Sequence, residues 1–337
     1  MTKIVFFDCE EITRNYLSQI KDCGCEMALV DRSIDQLNAA ELRPYLDADI
    51  ISVFVHSTNV NAKLLKPFAR LKMVAVRSTG FDNVDLDYCR KRNIEVANVP
   101  RYGEITVAEY AFGLLLNLTR RITLASSDLK HNNVEITRYM GFDLAGKTIG
   151  IIGTGAIGGH AIGLAQGFGM KILAYDPYPN SKLGVKYTGM PELLSQSDVI
   201  SLHCPLTKEN RHLLDAKAFK AMKDGVIVIN TARGELIDTQ ALCHALKSGK
   251  VAAAGLDVLE EEDFLLHDDV SLPGRAREYI VNSLYNLRLL QMKNVIITPH
   301  IGFDTIDAMH RILDATLENI KQFVRTGKSA NSVLGKG

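Results

Sequence analysis

Thr148-Ile149-Gly150-Ile151-Ile152-Gly153-Thr154-Gly155-Ala156-Ile157-Gly158 reads as a buried strand running directly into a glycine loop. A helical segment follows to about Gly169. Lys171-Ile172-Leu173-Ala174-Tyr175 then forms a second apolar strand that ends at Asp176. Each part has a task in a dinucleotide site. Gly153 permits the tight turn, Gly155 has no side chain to block a pyrophosphate, and Gly158 lets the helix lie against the strand. The helix N-terminus offers free N–H groups and a partial positive charge to phosphate. Asp176 can accept hydrogen bonds from ribose hydroxyls. The bare six-residue loop is as readily a turn before an ordinary core helix; the flanking strands and the acid favour the dinucleotide reading. Asp176 also selects NAD over NADP. A carboxylate repels a 2′-phosphate, and Pro177-Tyr178-Pro179 follows where an Arg would be needed to receive one.

Outward from this unit the same alternation continues. Before it, apolar runs near 3–7, 26–30, 49–55, 73–77 and 94–97 are separated by amphipathic stretches such as 61–71 and 84–92. Alternation of this kind implies a parallel sheet with helices on both faces. A long helical pattern spans about Val107 to Leu129. After the glycine loop, further buried strands are expected at Asp198–Leu202, Gly225–Ile229, Ala252–Leu256 and Asn294–Thr298, and a last amphipathic helix at His310–Arg325. The expected fold is α/β, with two doubly wound parallel-sheet domains. A substrate domain is built from both chain ends, residues 1–103 and 301–337, around an inserted NAD-binding domain, 104–300. The two crossovers are candidate hinges, with the active site expected in the cleft between domains.

Composition narrows the function classes. The 337 residues are 47% hydrophobic, and 39 basic residues balance 39 acidic ones. Zero net charge gives no electrostatic reason to expect a nucleic acid or an anionic membrane as partner. No apolar run approaches a transmembrane span. Cysteines at 9, 23, 25, 89, 204 and 243 show no zinc-ligand spacing, so no metal is expected; reduced thiols in a cytoplasmic protein is the simpler reading.

In a doubly wound sheet, ligands sit beyond the carboxyl ends of the strands. Here those ends carry chemistry: His203-Cys204-Pro205, Asn230-Thr231-Ala232-Arg233, Asp257 with Glu262 shortly after, and Pro299-His300. Singly, each has a plain reading. Arg233 can sit on a solvated face, Glu262 belongs to the acidic run Glu260-Glu261-Glu262-Asp263, and His300 can be a core histidine. At the ends of consecutive parallel strands they form one edge, shared with the glycine loop.

With these motifs in place, the chain resembles the D-isomer-specific 2-hydroxyacid dehydrogenase family, nearest its D-lactate dehydrogenase branch. The resemblance is carried by the glycine loop with Asp176, Ser201-Leu202-His203-Cys204-Pro205-Leu206-Thr207, Asn230-Thr231-Ala232-Arg233-Gly234, Gly255-Leu256-Asp257-Val258, Thr298-Pro299-His300 and Ser78-Thr79-Gly80-Phe81-Asp82-Asn83-Val84-Asp85. It covers essentially the whole chain. It implies a flavodoxin-like substrate domain beside a Rossmann domain, and reduction of a 2-oxo acid by hydride from NADH. His300 is then the general acid, Glu262 its partner, and Arg233 the grip on the substrate carboxylate. Backbone N–H groups of Thr79 and Gly80 complete that grip. Asp257 matches a position at the nicotinamide end. Ala156, Ile157, Cys204, Pro205, Asn210, Thr231 and Ala232 match other cofactor contacts. Tyr102 and Phe303 match pocket positions where aromatic rings favour a small methyl-bearing substrate, so pyruvate leads. His56 is a further pocket candidate. The region around 107–129 and the arm after it resemble the family's dimer-forming part, which implies a homodimer.

Some positions depart from the family. Asp263 stands where many members have Pro after the catalytic Glu, leaving Glu261 as an alternative register. Gly103 replaces a serine after Pro100-Arg101-Tyr102. The segment Leu265–Leu290 is longer than a minimal loop, and is a lid or a surface excursion. Competing functions are an NAD-sensing binding protein, like the dehydrogenase-fold corepressors, and a glyoxylate, hydroxypyruvate or phosphoglycerate reductase. Phosphoglycerate calls for extra cations that cannot be assigned here. A formate dehydrogenase is disfavoured by Glu, in place of an amide, beside the His.

Overall fold

The computed structural model describes residues 1–19, 24–54, 57, 59–262 and 277–335. The chain divides into two compact units, Met1–Tyr102 with Asp304–Gly337, and Gly103–Phe303.

The first unit holds a five-stranded parallel sheet: β1 (Thr2–Phe6), β2 (Cys25–Leu29), β3 (Ile50–Val53), β4 (Met73–Val76) and β5 (Glu95–Ala97), in the order β2-β1-β3-β4-β5. Parallel strands need both faces covered, which is why their sequences are continuously apolar. Val5, Phe7, Ile51, Val53, Val74 and Val76 point to one face, against Ile34, Leu65 and Phe68. Ile4, Phe6, Ile50, Met73 and Ala75 point to the other, against Leu313, Leu317 and Ile320. Those last three belong to the helix Ile306–Thr326. The chain therefore returns to this unit at its end because the second face needs that helix. Each fully buried Ile, Leu or Val contributes roughly 1.5–3 kcal/mol.

The second unit holds a seven-stranded parallel sheet: β6 (Thr148–Ile152), β7 (Lys171–Tyr175), β8 (Lys186–Tyr187), β9 (Val199–Leu202), β10 (Val226–Asn230), β11 (Val251–Leu256) and β12 (Val295–Ile297). Its order is β12-β11-β10-β9-β6-β7-β8, so the chain reverses direction between β6 and β9. Ile149, Ile151, Val199, Ile227 and Ile229 pack on Ala108, Ala111 and Leu115 of the helix Glu104–Arg120 and on Ala161, Ile162 and Ala165 of the helix Ala156–Gly167. The opposite face packs on Leu193, Phe219, Leu242 and Leu289.

The expected single helix over 107–129 is two helices, Glu104–Arg120 and Ile122–Lys130. Arg121 between them is left-handed, with φ 52°. The Asn117 side chain accepts from Thr123 N at 2.9 Å and donates to its hydroxyl at 2.6 Å, which satisfies the break. The expected amphipathic stretch at 61–71 contains only one turn of helix, Ala62–Leu65. The final helix begins at Ile306, four residues before the expected His310, with Thr305 capping it through Ala308 N.

Among the described residues, no helix is long and apolar enough to cross a membrane.

Candidate active site

The glycine loop follows β6 directly. Gly153 has φ 91°, and a Cβ there would meet the backbone of Cys204 at 2.5 Å. A Cβ on Gly158 would lie 2.0 Å from Gly153 O. Both positions therefore exclude a side chain because of chain packing. Gly155 differs: a Cβ there meets no protein atom within 4 Å. Its side is open, at the start of the 12-residue helix Ala156–Gly167. Asp176 follows β7 and is pinned to the loop. One carboxylate oxygen accepts from Thr154 N (2.7 Å) and Oγ1 (3.1 Å), the other from Tyr178 N (2.8 Å).

The loop after β9 crosses next to the glycines, with His203 N donating to Ile152 O at 2.7 Å. Asn210 closes it, donating to Pro205 O (2.8 Å) and accepting from Thr207 N (2.7 Å). Burial pushes the Cys204 thiol up to about 11, so it is a thiol and not a thiolate at neutral pH. His203 is pulled down to about 4 by burial and is neutral, its Nε2 2.9 Å from Ser201 Oγ. Among the described residues, its Nδ1 and the Thr231 hydroxyl are buried polar atoms without a hydrogen-bond partner. Orphans of this kind call for an explanation. An open cradle at Gly155, a free helix N-terminus, Asp176 and these two atoms together fit a dinucleotide.

At the end of β10, Asn230 turns the chain. Its side chain accepts from Ala232 N (3.0 Å) and donates to Arg233 O (2.9 Å). Arg233 Nη1 donates to Ala232 O at 2.7 Å. The next residue must be glycine, since a Cβ on Gly234 would lie 2.0 Å from the carbonyl carbon of Leu259. That close approach sets the Arg233 turn against the loop carrying Glu262. Gly234→Ala is expected to cost at least about 1–3 kcal/mol from overpacking, and to lower turnover by displacing both neighbours. Thermal unfolding and steady-state rates check it; a variant with wild-type stability and rate would show that the contact can yield.

The acidic run divides into separate tasks. Glu260 is 2% exposed. It accepts from Thr239 N and Oγ1, sits 2.6 Å from His212 Nε2, and receives Arg211 Nη2 at 3.3 Å. Its carbonyl accepts from Asn286 Nδ2 at 2.6 Å. Glu261 is left-handed, with φ 53°. Glu262 then faces back: Oε1 is 2.7 Å from His300 Nδ1, and Oε2 accepts from Leu259 N at 3.2 Å.

His300 is also left-handed, φ 55°, a costly state for a bulky side chain. Asp257 stabilises it. Its carboxylate, 2% exposed, accepts from Thr298 Oγ1 (2.6 Å), Ile301 N (3.0 Å) and Gly302 N (2.8 Å), and its carbonyl accepts from His300 N (2.9 Å). Burial raises the Asp257 pKa against these hydrogen bonds and the nearby His300 charge. For His300, burial alone would depress the pKa. The hydrogen bond and charge of Glu262, with the charge of Asp257, outweigh burial and the opposing Arg233, and hold the imidazole above its ordinary value. The side chains of His300 and Glu262 are 37% and 30% exposed. They line a cavity of about 220 Å³ whose other walls include Leu259, Leu290 and Pro299.

The structure thus brings Glu262 and His300 into contact, with Asp257 behind the histidine and Arg233 close enough to oppose its charge. Phe303 lies in this unit, while Thr79, Gly80 and Tyr102 lie in the first. Thr79 is held at the end of β4: its carbonyl accepts from Asn98 Nδ2 (2.8 Å) and its hydroxyl donates to Val99 O (3.0 Å). Tyr102 O accepts from Arg311 Nε at 2.7 Å. His56 and residues 263–276 lie outside the described residues. The rest of the candidate lid segment is the helix Arg277–Gln291, with Tyr279, Asn282 and Leu289 buried. Among the described residues, no group of His, Cys, Asp or Glu could hold a metal ion.

Sequence reasoning missed three supporting groups. Thr154 aims Asp176. The Asp257 carboxylate organises the His300 turn. Glu260 with His212 and Thr239 anchors the start of the Glu262 turn. The available signal was weak: Val258-Leu259 prolong the buried run of β11, which carries the chain inward as far as Glu260.

Residues 112–302 match the D-isomer specific 2-hydroxyacid dehydrogenase NAD-binding domain. A 2-hydroxyacid dehydrogenase homolog of Haemophilus influenzae is 41% identical, over 98% of this chain and 99% of that protein. The D-lactate dehydrogenase of Escherichia coli is 37% identical, over 98% of this chain and 100% of its own length. The solved structure of D-lactate dehydrogenase from Aquifex aeolicus, complexed with NAD and lactic acid, superposes with a TM-score of 0.82 at 34% identity, covering 98% of this chain and 99% of that one.

Proposed function

This chain belongs to the D-isomer-specific 2-hydroxyacid dehydrogenase family of NAD-dependent oxidoreductases, and from that premise we propose that it reduces a small 2-oxo acid, pyruvate first, to the D-2-hydroxy acid. The observation that carries this reading is the 2.7 Å contact between His300 Nδ1 and Glu262, with Arg233 nearby.

Gly153, Gly155 and Gly158 with the helix N-terminus behind them would hold the dinucleotide phosphates, Asp176 would accept from its ribose hydroxyls, and Ala156, Ile157, Cys204, Pro205, Asn210, Thr231, Ala232, Arg233 and Asp257 would supply its other contacts. Bound NADH supplies the hydride for the carbonyl carbon. His300 gives the carbonyl oxygen a proton from Nε2, while Nδ1 on Glu262 keeps the ring oriented and charged. Arg233 presents a planar fork of donors suited to a substrate carboxylate, and Thr79 and Gly80 offer N–H groups suited to the same kind of group. Tyr102 and Phe303 limit the substrate side chain, which favours a methyl group.

The test is NADH oxidation at 340 nm with pyruvate, 2-oxobutyrate, glyoxylate, hydroxypyruvate and phenylpyruvate. Pyruvate is expected to be fastest, with D-lactate as product. Turnover of only a bulkier acid would keep the mechanism and correct the pocket. Tight NADH binding with no turnover of any acid would favour an NAD-sensing binding protein.

The same proposal includes a cytoplasmic homodimer joined through the region after the helix Glu104–Arg120. Ile122, Leu129, Val134, Ile136 and Met140 are exposed there in one run of about twenty residues, and large exposed apolar residues gathered in one segment are a feature of protein–protein contacts. Sedimentation equilibrium is expected to give twice the 37.2 kDa of one chain; a monomer at micromolar concentration would contradict it.

A further inference from the structure

Arg77 is the largest fully buried side chain of the described residues, at 0% exposure. A buried guanidinium ordinarily sits on a carboxylate. Arg77 has no ion pair within 4 Å among the described residues, and its charge is met in other ways. Nη1 donates to Ser52 Oγ on β3 at 3.0 Å. Nη2 donates to Phe7 O at 2.5 Å and Asp8 O at 2.9 Å, just past β1. The guanidinium lies over the rings of Phe6 and Phe54, 5.8 and 5.3 Å from their centroids. The Asp8 carboxylate is engaged elsewhere, one oxygen accepting from Phe54 N (2.9 Å) and Ser57 Oγ (2.6 Å). Burial pulls the Arg77 pKa below its ordinary value, against the nearby Asp8 and Glu10 carboxylates. The group stays charged, since arginine does not deprotonate in proteins.

The backbone of Arg77 completes the picture. Its N–H donates to Val53 O on β3 at 2.8 Å. One residue thus fastens the carboxyl ends of β1, β3 and β4 together. The chain leaving that clamp is Ser78-Thr79-Gly80, which folds on itself through Ser78 Oγ donating to Gly80 O at 2.6 Å. Among the described residues, the N–H groups of Thr79 and Gly80 have no acceptor in the protein.

We propose that Arg77 is a positioning residue for the anionic end of the substrate: by clamping three strand ends with its buried guanidinium, it aims the Thr79 and Gly80 N–H groups at the carboxylate. This rests on the reading that those two groups bind a 2-oxo acid. Arg77 acts before the chemistry, so it governs KM for the acid and not the hydride or proton steps. A role confined to stability would instead lower the amount of active enzyme and leave the KM of the folded fraction unchanged.

The test compares Arg77→Met, which keeps bulk and loses the charge and donors, with Arg77→Lys, which keeps a charge and donors. Arg77→Met is expected to raise the KM for the fastest 2-oxo acid at least tenfold, with kcat within threefold and NADH dissociation within twofold of wild type. Arg77→Lys is expected to restore most of the KM. Should Arg77→Met not fold, Ser52→Ala removes the Nη1 acceptor alone and is expected to raise KM two- to fourfold at unchanged kcat. A folded Arg77→Met enzyme with KM within twofold, or a loss in kcat alone, overturns the inference; so does an unchanged KM in Ser52→Ala. Wild-type enzyme that reduces no 2-oxo acid would instead remove the underlying functional reading.

Discussion

Replacing His300 by alanine is expected to lower 2-oxo acid reduction by about 10²–10⁴-fold, the usual contribution of a positioned general acid. The residue has one nitrogen committed to Glu262 at 2.7 Å, which leaves the other for the substrate. Its backbone strain is sustained by four hydrogen bonds to Asp257. The structure thus invests in the ring's direction more than in its burial. The dinucleotide cradle at Gly153–Gly158 and Asp176 is untouched by the substitution, so NADH affinity is expected to stay within about twofold. Fluorescence titration of NADH beside single-turnover kinetics separates the two effects. Wild-type turnover in His300→Ala would remove the residue from the chemistry.

Arg233→Gln is expected to reduce kcat/KM for the 2-oxo acid by on the order of 10³-fold, since truncating one partner of a close charge pair costs about 2–5 kcal/mol. The turn that presents Arg233 is specified from both sides, by Asn230 bridging it and by the backbone of Leu259 pressing on Gly234. The fork is therefore set before substrate arrives. Lysine is expected to rescue poorly, because a point charge on a flexible stem cannot reproduce two parallel donors. The effect is expected mostly in KM, read at saturating NADH with pyruvate varied. A KM within twofold of wild type in Arg233→Gln would mean the carboxylate is held elsewhere.

Much of this architecture is legible in the chain because several constraints coincide on the same residues. A parallel sheet covered on both faces leaves continuous apolar runs, and β1, β3, β4, β6, β7, β9, β10 and β11 stand out for that reason. The glycine loop is legible because Gly153 and Gly158 are excluded from carrying side chains by backbone contacts that recur wherever a helix starts this close to a strand. What is hidden depends on long-range partners. The break at Arg121 needs the Asn117–Thr123 hydrogen bonds, and either residue is tolerated inside a helix. In the run of three glutamates, composition alone does not say which is buried. The left-handed turn at Glu261 and the pocket formed by His212, Thr239 and Asn286 send Glu260 inward and Glu262 to the histidine. Arg77 is hidden for the same reason. Position 77 closes an apolar run without any mark of a buried charge, and only the packed sheet reveals Ser52, Phe7 and Asp8 as its acceptors.

The pH dependence of kcat/KM for pyruvate reduction, measured for wild type and Glu262→Gln under conditions where chemistry limits the rate, tests the acid pair most directly. A general-acid imidazole must be protonated in the free enzyme, so the rate is full at low pH and falls as pH rises through the His300 pKa. Glu262 is a principal cause holding that pKa above the ordinary imidazole value. The wild-type inflection is therefore expected above that value, and removing the carboxylate's charge is expected to move it to lower pH. A flat wild-type profile, or an inflection that Glu262→Gln leaves in place, would contradict the Glu262–His300 pair as the source of the proton.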